Sequence, residues 1–98
     1  MRLTSFTDYG LRVLMRMAGA PDRAFTTAEL ADEFRVSRNH LAKVISALAA
    51  AGLLETRRGG GGGAMLARAP EDIRLGDVVS TLEADQALVE CFAAGTNS

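Results

Sequence analysis

The sequence predicts a mainly α-helical fold with one small β-hairpin. Apolar residues recur at helical spacing in the first half of the chain, and capping signals divide that half into three helices. Two short segments with apolar ends then flank a run of five glycines, Gly59 to Gly63, which is typical of a hairpin. A chain of 98 residues has room for one small domain.

The first helix is expected from about Leu3 to Ala20, and Pro21 ends it. Its apolar residues fall on two sides. One side contains Phe6, Gly10, Val13, Leu14 and Met17, and the other contains Leu11, Met15 and Ala18. A helix that is apolar on two sides usually packs between two partners, and a chain this small has few to offer.

The second and third helices predict a helix-turn-helix. Thr26 and Glu29 have the spacing of a capping box, so a short helix is expected to begin there and to end near Arg35. Ser37 is the predicted N-cap of a third helix that runs to about Ala51 and is closed by a glycine. Two helices joined by so short a turn have the local pattern of this DNA-binding motif.

The third helix has one apolar side and one basic side. Leu41, Val44, Ile45 and Leu48 make the apolar stripe, and Asn39, Lys43, Ser46 and Ala50 lie opposite, with Arg38 and His40 on the flanks. Arginine suits guanine, asparagine suits adenine, and lysine suits guanine or phosphate. We therefore expect Arg38, Asn39 and Lys43 to face the major groove, with Ser37 and His40 on phosphates. His40 fits equally well as a residue on the helix flank.

Charge is segregated along the chain. Residues 1–68 carry a net charge of +4 and residues 69–98 a net charge of −5, and no acidic residue occurs from Phe34 to Leu54. This distribution favours a basic face for a polyanion beside a separate acidic tail.

The segment after the third helix predicts a wing. A hairpin made from Leu53–Arg58 and Ala64–Ala67 would turn the helix-turn-helix into a winged helix. Arg57, Arg58 and Gly59 at its base are expected beside the phosphate backbone or the adjacent minor groove. The glycine run continues as Gly-Ala-Met, which does not fit a P-loop, and no helix is predicted at its end, as a dinucleotide site requires. A flexible linker is the remaining alternative.

A last helical element is expected after Pro70, with a break at Gly76. Its apolar stripe consists of Ile73, Leu75, Val78, Val79 and Leu82. Residues 1–85 are therefore expected to form a winged helix-turn-helix DNA-binding domain.

Composition disfavours several other classes of protein. The longest uncharged stretch, Val44 to Leu54, has about 11 residues, whereas a membrane span needs about 20. Asp8 interrupts the region where a signal peptide would be apolar, so a cytoplasmic protein is expected. One histidine and one cysteine leave little for nucleophilic or acid–base catalysis, so we expect no enzyme.

Sequence motifs add a family resemblance to this interpretation. They lie in order along nearly the whole chain: LTSFTDYGLR from residue 3, VSRNHLAKVI from residue 36, RG and GG at residues 58–59 and 62–63, IRLGDVV from residue 73, and LVECF from residue 88. Together they resemble the NsrR/IscR family of winged-helix iron–sulfur transcriptional regulators.

The resemblance implies a dimeric bacterial repressor of nitric oxide detoxification genes, whose DNA affinity is set by an iron–sulfur cluster that nitric oxide destroys. It places Cys91 at the first of three cluster cysteines, and Asp8 at the position of an oxygen ligand supplied by the partner subunit. Taken alone, Cys91 also fits an inert apolar residue, and Asp8 fits a surface acid paired with Arg12.

The chain departs from that family pattern after Cys91. The family has two more cysteines within roughly the next dozen residues and then a long dimerisation helix, whereas Cys91 is the only cysteine here. We therefore expect this chain as written to hold no cluster, and residues 86–98 to be the start of a truncated sensor or dimerisation region. A truncated product and a degenerate homologue both remain open.

The expected partners are double-stranded DNA and a second chain, in a homodimer or in a heterodimer with a full-length relative. The alternative function is an interaction fragment that pairs with a full-length relative, through the stripe of Leu11, Met15 and Ala18, and does not itself bind DNA specifically.

Overall fold

The computed structural model describes residues 4–57 and 63–84. Within them the chain forms three helices, a two-stranded antiparallel hairpin, a 3-10 turn and a fourth helix, which confirms the mainly α-helical fold. The elements are α1 (Ser5–Ala18), α2 (Thr27–Phe34), α3 (Arg38–Ala50), β1 (Leu54–Arg57), β2 (Gly63–Leu66), the turn Pro70–Asp72, and α4, described over residues 75–84.

Helix α1 is shorter at both ends than the sequence predicted. The Thr4 hydroxyl accepts the Thr7 backbone N–H at 3.1 Å, which makes Thr4 an extended N-cap and starts the helix at Ser5. The predicted inner side is buried at Gly10, Val13, Leu14 and Met17, whereas Phe6 is only partly buried. The second apolar stripe is divided: Leu11 is partly buried against the core, whereas Ala18 is exposed and Met15 is 67% exposed.

The helix-turn-helix forms as the capping signals predicted. The Thr26 hydroxyl accepts the Glu29 N–H, and the Glu29 carboxylate accepts the Thr26 N–H, both at 3.0 Å. Helix α2 then ends in a Schellman motif, in which Val36 N–H donates to the Ala31 carbonyl at 3.0 Å and Arg35 N–H to the Asp32 carbonyl at 3.3 Å. This compact turn leads directly into Ser37, the N-cap of α3.

One hydrophobic core holds α3 against its neighbours. All four residues of the predicted α3 stripe are buried, and they pack with apolar residues of α1, α2, the hairpin and α4. The α4 residues that enter this core are Val78 and Leu82, which are 1% and 0% exposed. Burial of these side chains on one side of α3 leaves its opposite side outside the core.

The hairpin is reinforced by a contact that the sequence did not reveal. Phe25, from the loop before α2, forms an antiparallel bridge to Ala64 with two backbone hydrogen bonds of 2.8 Å. Gly63 has φ +142°, and a Cβ there would stand 3.1 Å from the Phe25 carbonyl oxygen. This glycine is therefore required where the loop backbone passes the hairpin.

Helix α4 runs through Gly76, so the predicted break there is wrong. The interruption falls earlier, because Ile73 is extended after the 3-10 turn and the helix begins at residue 75. Gly76 lies exposed in the first turn, where its missing side chain costs no packing. The expected boundary at residue 85 and the region 86–98 lie outside the described residues. Among the helices described, none is long and apolar enough to cross a membrane.

Candidate nucleic-acid interface

Helix α3 presents three polar side chains together on its solvent side. Arg38, Asn39 and Lys43 are all exposed, in the first two turns of the helix. Ser46 and Ala50 continue the same side and are exposed as well. The structure thus brings together the three residues that the sequence assigned to the major groove, beside small side chains that allow close approach of another surface.

Ser37 holds the beginning of this helix in place. Its hydroxyl oxygen accepts the His40 backbone N–H at 3.1 Å, and its own backbone is extended at φ −67° and ψ 149°. The hydroxyl proton remains able to donate to a further acceptor, since a serine oxygen both donates and accepts. Capping and a phosphate contact are therefore compatible at Ser37.

His40 lies on the inner flank of α3. Its ring meets the Tyr9 ring of α1 edge-on, with 5.4 Å between the ring centroids, and Tyr9 also contacts Phe34 of α2. The His40 Nε2 atom is buried without a hydrogen-bond partner among the described residues. In this conformation His40 is separated from the exposed group of Arg38, Asn39 and Lys43.

The described part of the hairpin has one exposed basic residue. Arg57 is exposed at the end of β1, where it pairs with Gly63 across the hairpin. The strands confirm the predicted hairpin over its paired residues. Arg58 and Gly59, the other predicted wing residues, lie outside the described part of the chain.

Ion pairs elsewhere leave the basic charge of α3 available. Arg12 pairs with Asp8 at 3.0 Å, Arg16 with Glu33 at 3.0 Å, and Arg23 with Glu29, all at the surface. Among residues 4–57 and 63–84, no ion pair involves Arg38, Lys43 or Arg57. The Thr26 backbone N–H and Arg23 lower the pKa of Glu29. This carboxylate is therefore bound to partners at the start of α2.

The residues described do not fit an iron–sulfur cluster. Asp8 pairs with Arg12, as its spacing predicted, and Cys91 lies beyond the described residues. Over the described ranges, no group of three or more histidine, cysteine, aspartate or glutamate residues is arranged to hold a metal ion.

Sequence reasoning missed a polar contact between α1 and α4. Thr7 is fully buried, and its hydroxyl and that of Thr4 both donate to the Glu83 carboxylate, the Thr4 bond measuring 2.8 Å. The hydrogen bonds from Thr7 and Thr4 lower the pKa of Glu83. The only signal in the sequence was a threonine three positions after the N-cap, on the apolar side of a helix.

Comparison with known proteins identifies the family. The Rrf2 family, described as iron-dependent transcriptional regulators, matches residues 3–98. The chain belongs to the Rrf2 family. It is 46% identical over 99 residues to the HTH-type transcriptional regulator NsrR of Shouchella clausii (strain KSM-K16), a match that covers 100% of this chain and 66% of that protein. NsrR of Bacillus subtilis (strain 168) is 46% identical over 98 residues, which are 99% of this chain and 67% of the relative. The chain thus spans about two thirds of the length of these relatives.

Solved structures of Rrf2 relatives have the same fold. CymR, the global cysteine regulator of B. subtilis, superposes with a TM-score of 0.79 at 27% identity, over 85% of this chain and 65% of that chain. IscR of T. potens superposes with a TM-score of 0.75 at 25% identity, over 98% of this chain and 77% of that chain. The fold is therefore the winged helix of a transcriptional regulator, and these relatives are regulators, not enzymes.

The family assignment also bears on the alternative function. The helix-turn-helix and the hairpin are both formed, and the match to regulators of the NsrR type extends along the whole chain. An interaction fragment that does not bind DNA itself is not favoured.

Proposed function

We propose that this domain binds duplex DNA sequence-specifically, as the DNA-reading part of a transcriptional repressor. The observation that carries the proposal is the exposed group of Arg38, Asn39 and Lys43 on the solvent side of α3, in a stretch without acidic residues. Family membership and the winged-helix fold support it. We expect this DNA binding to take place in the cytoplasm, where bacterial DNA is accessible.

Each side chain of α3 has its own task in this proposal. Asn39 reads adenine through two hydrogen bonds. Its side-chain NH2 group donates to adenine N7, and its side-chain oxygen accepts from the exocyclic N6 amine. Arg38 reads guanine or contacts a phosphate, and Lys43 contributes guanine or phosphate contacts one turn further along. Leu41 and Val44 are buried in the core and fix the orientation of the helix relative to the rest of the domain.

The residues around α3 position the domain on the backbone. The Ser37 hydroxyl donates to a phosphate while its oxygen caps the helix. Arg57, at the end of the hairpin that adjoins the glycine run, meets the phosphates or the adjacent minor groove, as proposed from the sequence for Arg58 and Gly59 as well. We propose that two chains bind two half-sites together, because the affinity of a single half-site contact is low.

The test begins by selecting operator sequences from random duplexes with the full chain, followed by fluorescence anisotropy titration at several salt concentrations. Asn39→Ala should relax base preference at one position at a cost of about 1–3 kcal/mol. Lys43→Ala should weaken binding to all sequences and reduce the salt slope by about 1, if its contact is a phosphate.

Arg74→Ala provides the matched control. Arg74 is also an exposed arginine, but it lies between the 3-10 turn and α4, outside the helix-turn-helix and the hairpin. Its removal should leave affinity unchanged, because the proposed DNA contacts come from the helix-turn-helix and the wing. Equal binding by the wild-type chain and the Asn39 and Lys43 variants would show that α3 does not read the DNA.

A further inference from the structure

Arg35 occupies a backbone conformation that disfavours arginine. Its φ and ψ angles are 57° and 47°, and it is the one residue other than glycine with a positive φ among those described. The left-handed region brings Cβ close to the neighbouring carbonyl, so glycine and asparagine are the residues that usually adopt it. The turn between α2 and α3 therefore contains local strain that a glycine would remove.

The same chain supplies the comparison. Helix α3 also ends in a Schellman motif, in which Leu53 N–H donates to the Leu48 carbonyl and Gly52 N–H to the Ala49 carbonyl, both at 3.0 Å. At that end the left-handed position holds Gly52, with φ +79°. The two turns have the same hydrogen-bond pattern, so the backbone alone does not explain an arginine at position 35.

The contacts of the Arg35 side chain do not offset the strain. The residue is exposed, and none of the ion pairs formed within residues 4–57 and 63–84 includes it. It lines an open surface groove of about 510 Å³ together with Arg38, at the junction of α2 and α3. Two carboxylates line the groove as well, of which Glu29 is held by Arg23 and the Thr26 N–H, and Asp32 is exposed.

We propose that Arg35 is a phosphate-contacting residue of the DNA interface, held at a strained turn because its charge is needed there. Position 35 lies two residues before the N-cap of α3, a separation of at most about 7 Å along the backbone. An arginine there is within reach of the phosphates that flank the groove entered by α3, and Arg38 lines the same surface groove. Strained residues persist where a function requires them. This inference rests on the proposed DNA binding.

The test measures stability and DNA affinity on the same variants of the full chain. Arg35→Gly should raise the Tm by about 4–8 °C, because the strain of roughly one left-handed residue disappears. It should also weaken operator binding about tenfold per bound chain at about 0.1 M salt and reduce the slope of log K against log salt by about 1 per bound chain, which is the effect of one lost phosphate contact in each half-site.

Three further variants separate charge from backbone. Arg35→Asn should lose the same affinity as Arg35→Gly, whereas Arg35→Lys should keep both the salt slope and the wild-type Tm. Gly52→Ala introduces only the strain, since the nearest atom to its Cβ is an Arg68 nitrogen at 3.9 Å, and it should lower the Tm without changing affinity.

The outcomes distinguish this inference from the proposed function. If Arg35→Gly binds operator with wild-type affinity and slope while Asn39→Ala does not, Arg35 has no phosphate contact and the inference is overturned. If Arg35→Gly does not raise the Tm, the strain argument is wrong. Failure of the unaltered chain to bind any selected operator overturns the proposed function, and this inference with it.

Discussion

Replacing Gly10 by alanine should destabilise the domain, although alanine is the better helix former. Gly10 lies in the middle of α1, where the change from glycine to alanine alone would stabilise by about 1 kcal/mol. An added Cβ would stand 2.5 Å from Cδ1 of Leu82 on α4 and 3.8 Å from Cγ1 of Val44. Because Leu82 is fully buried, it has little room to move away.

The magnitude follows from two opposing effects. Forcing a methyl group into a packed core costs about 2 kcal/mol, within the usual range for overpacking. Subtracting the helix preference of about 1 kcal/mol leaves a net loss of about 1 kcal/mol. For a domain of this size that loss corresponds to a fall in Tm of about 4–8 °C.

A double-mutant cycle isolates the contact between α1 and α4. Leu82→Ala alone should cost about 2–5 kcal/mol, as for a buried leucine. In that background the Gly10→Ala methyl has space, so the substitution should stabilise by about 1 kcal/mol, and the coupling between the two sites should be about 2 kcal/mol. Urea unfolding followed by circular dichroism measures all four proteins.

Gly76→Ala is the matched control for this experiment. It makes the same chemical change in a helix, but no atom lies within 4 Å of the added Cβ, so it should stabilise slightly. The packing of α4 on α1 would be refuted if the Gly10→Ala protein were more stable than wild type. It would also be refuted if Gly10→Ala had the same sign and size of effect in the Leu82→Ala background.

Three other outcomes are expected. Phe25→Ala should cost about 3–5 kcal/mol in urea unfolding, because a buried aromatic ring is removed from the core. An effect below about 1 kcal/mol would contradict the burial of this ring. Stability should fall as the pH drops below about 4.5, because the pKa of Glu83 in the folded state lies below its ordinary value of 4.5. The ionised carboxylate stabilises the fold above that pH. This stabilisation is lost as the pH falls through the folded-state pKa and the carboxylate is protonated. Glu83→Gln should flatten this acid slope in a Tm series from pH 7 to pH 3, and an unchanged slope would exclude Glu83. Anaerobic reconstitution of the 98-residue chain with iron and sulfide should leave it colourless, since Cys91 is its only thiolate ligand; a brown protein with two or more iron atoms per chain, bleached by nitric oxide, would contradict this.

Local signals predicted most of the fold and the exposure of the candidate DNA-binding residues of α3. The capping box at Thr26 and the N-cap Ser37 involve hydrogen bonds within three residues, so the sequence specifies them almost completely. The α3 stripe predicted which residues enter the core, and the exposure of Asn39 and Lys43 then followed from helical geometry alone. Interactions between neighbours in sequence are those that a pattern can encode.

Contacts between residues distant in sequence were not predictable in the same way. The bridge from Phe25 to Ala64 joins the loop before α2 to strand β2, 39 positions further along, and the loop around Phe25 has no alternating pattern of a strand. The Thr7–Glu83 hydrogen bond spans 76 positions, and each residue alone reads as a surface residue of a helix. Break signals failed for a related reason: Gly76 was predicted to interrupt α4, but Val78 and Leu82 pack into the core and hold the helix together through that glycine.

His40 shows how tertiary packing divides residues that a helical pattern groups together. It is next to Asn39 in sequence, and a rotation of 100° per residue places it on the boundary between the basic side and the core. Tyr9 of α1 occupies the space beside that boundary, so the imidazole packs inward while Arg38 and Asn39 remain in solvent. The ring then links α1 to the first turn of α3, the helix that we propose reads the operator. Asp8 and Arg12, which flank Tyr9 in sequence, form an ion pair, and the Arg12 guanidinium lies 5.7 Å from the Tyr9 ring centroid, within the range of a cation–π contact. Tyr9 therefore packs between a charged pair on its own helix and the imidazole of α3.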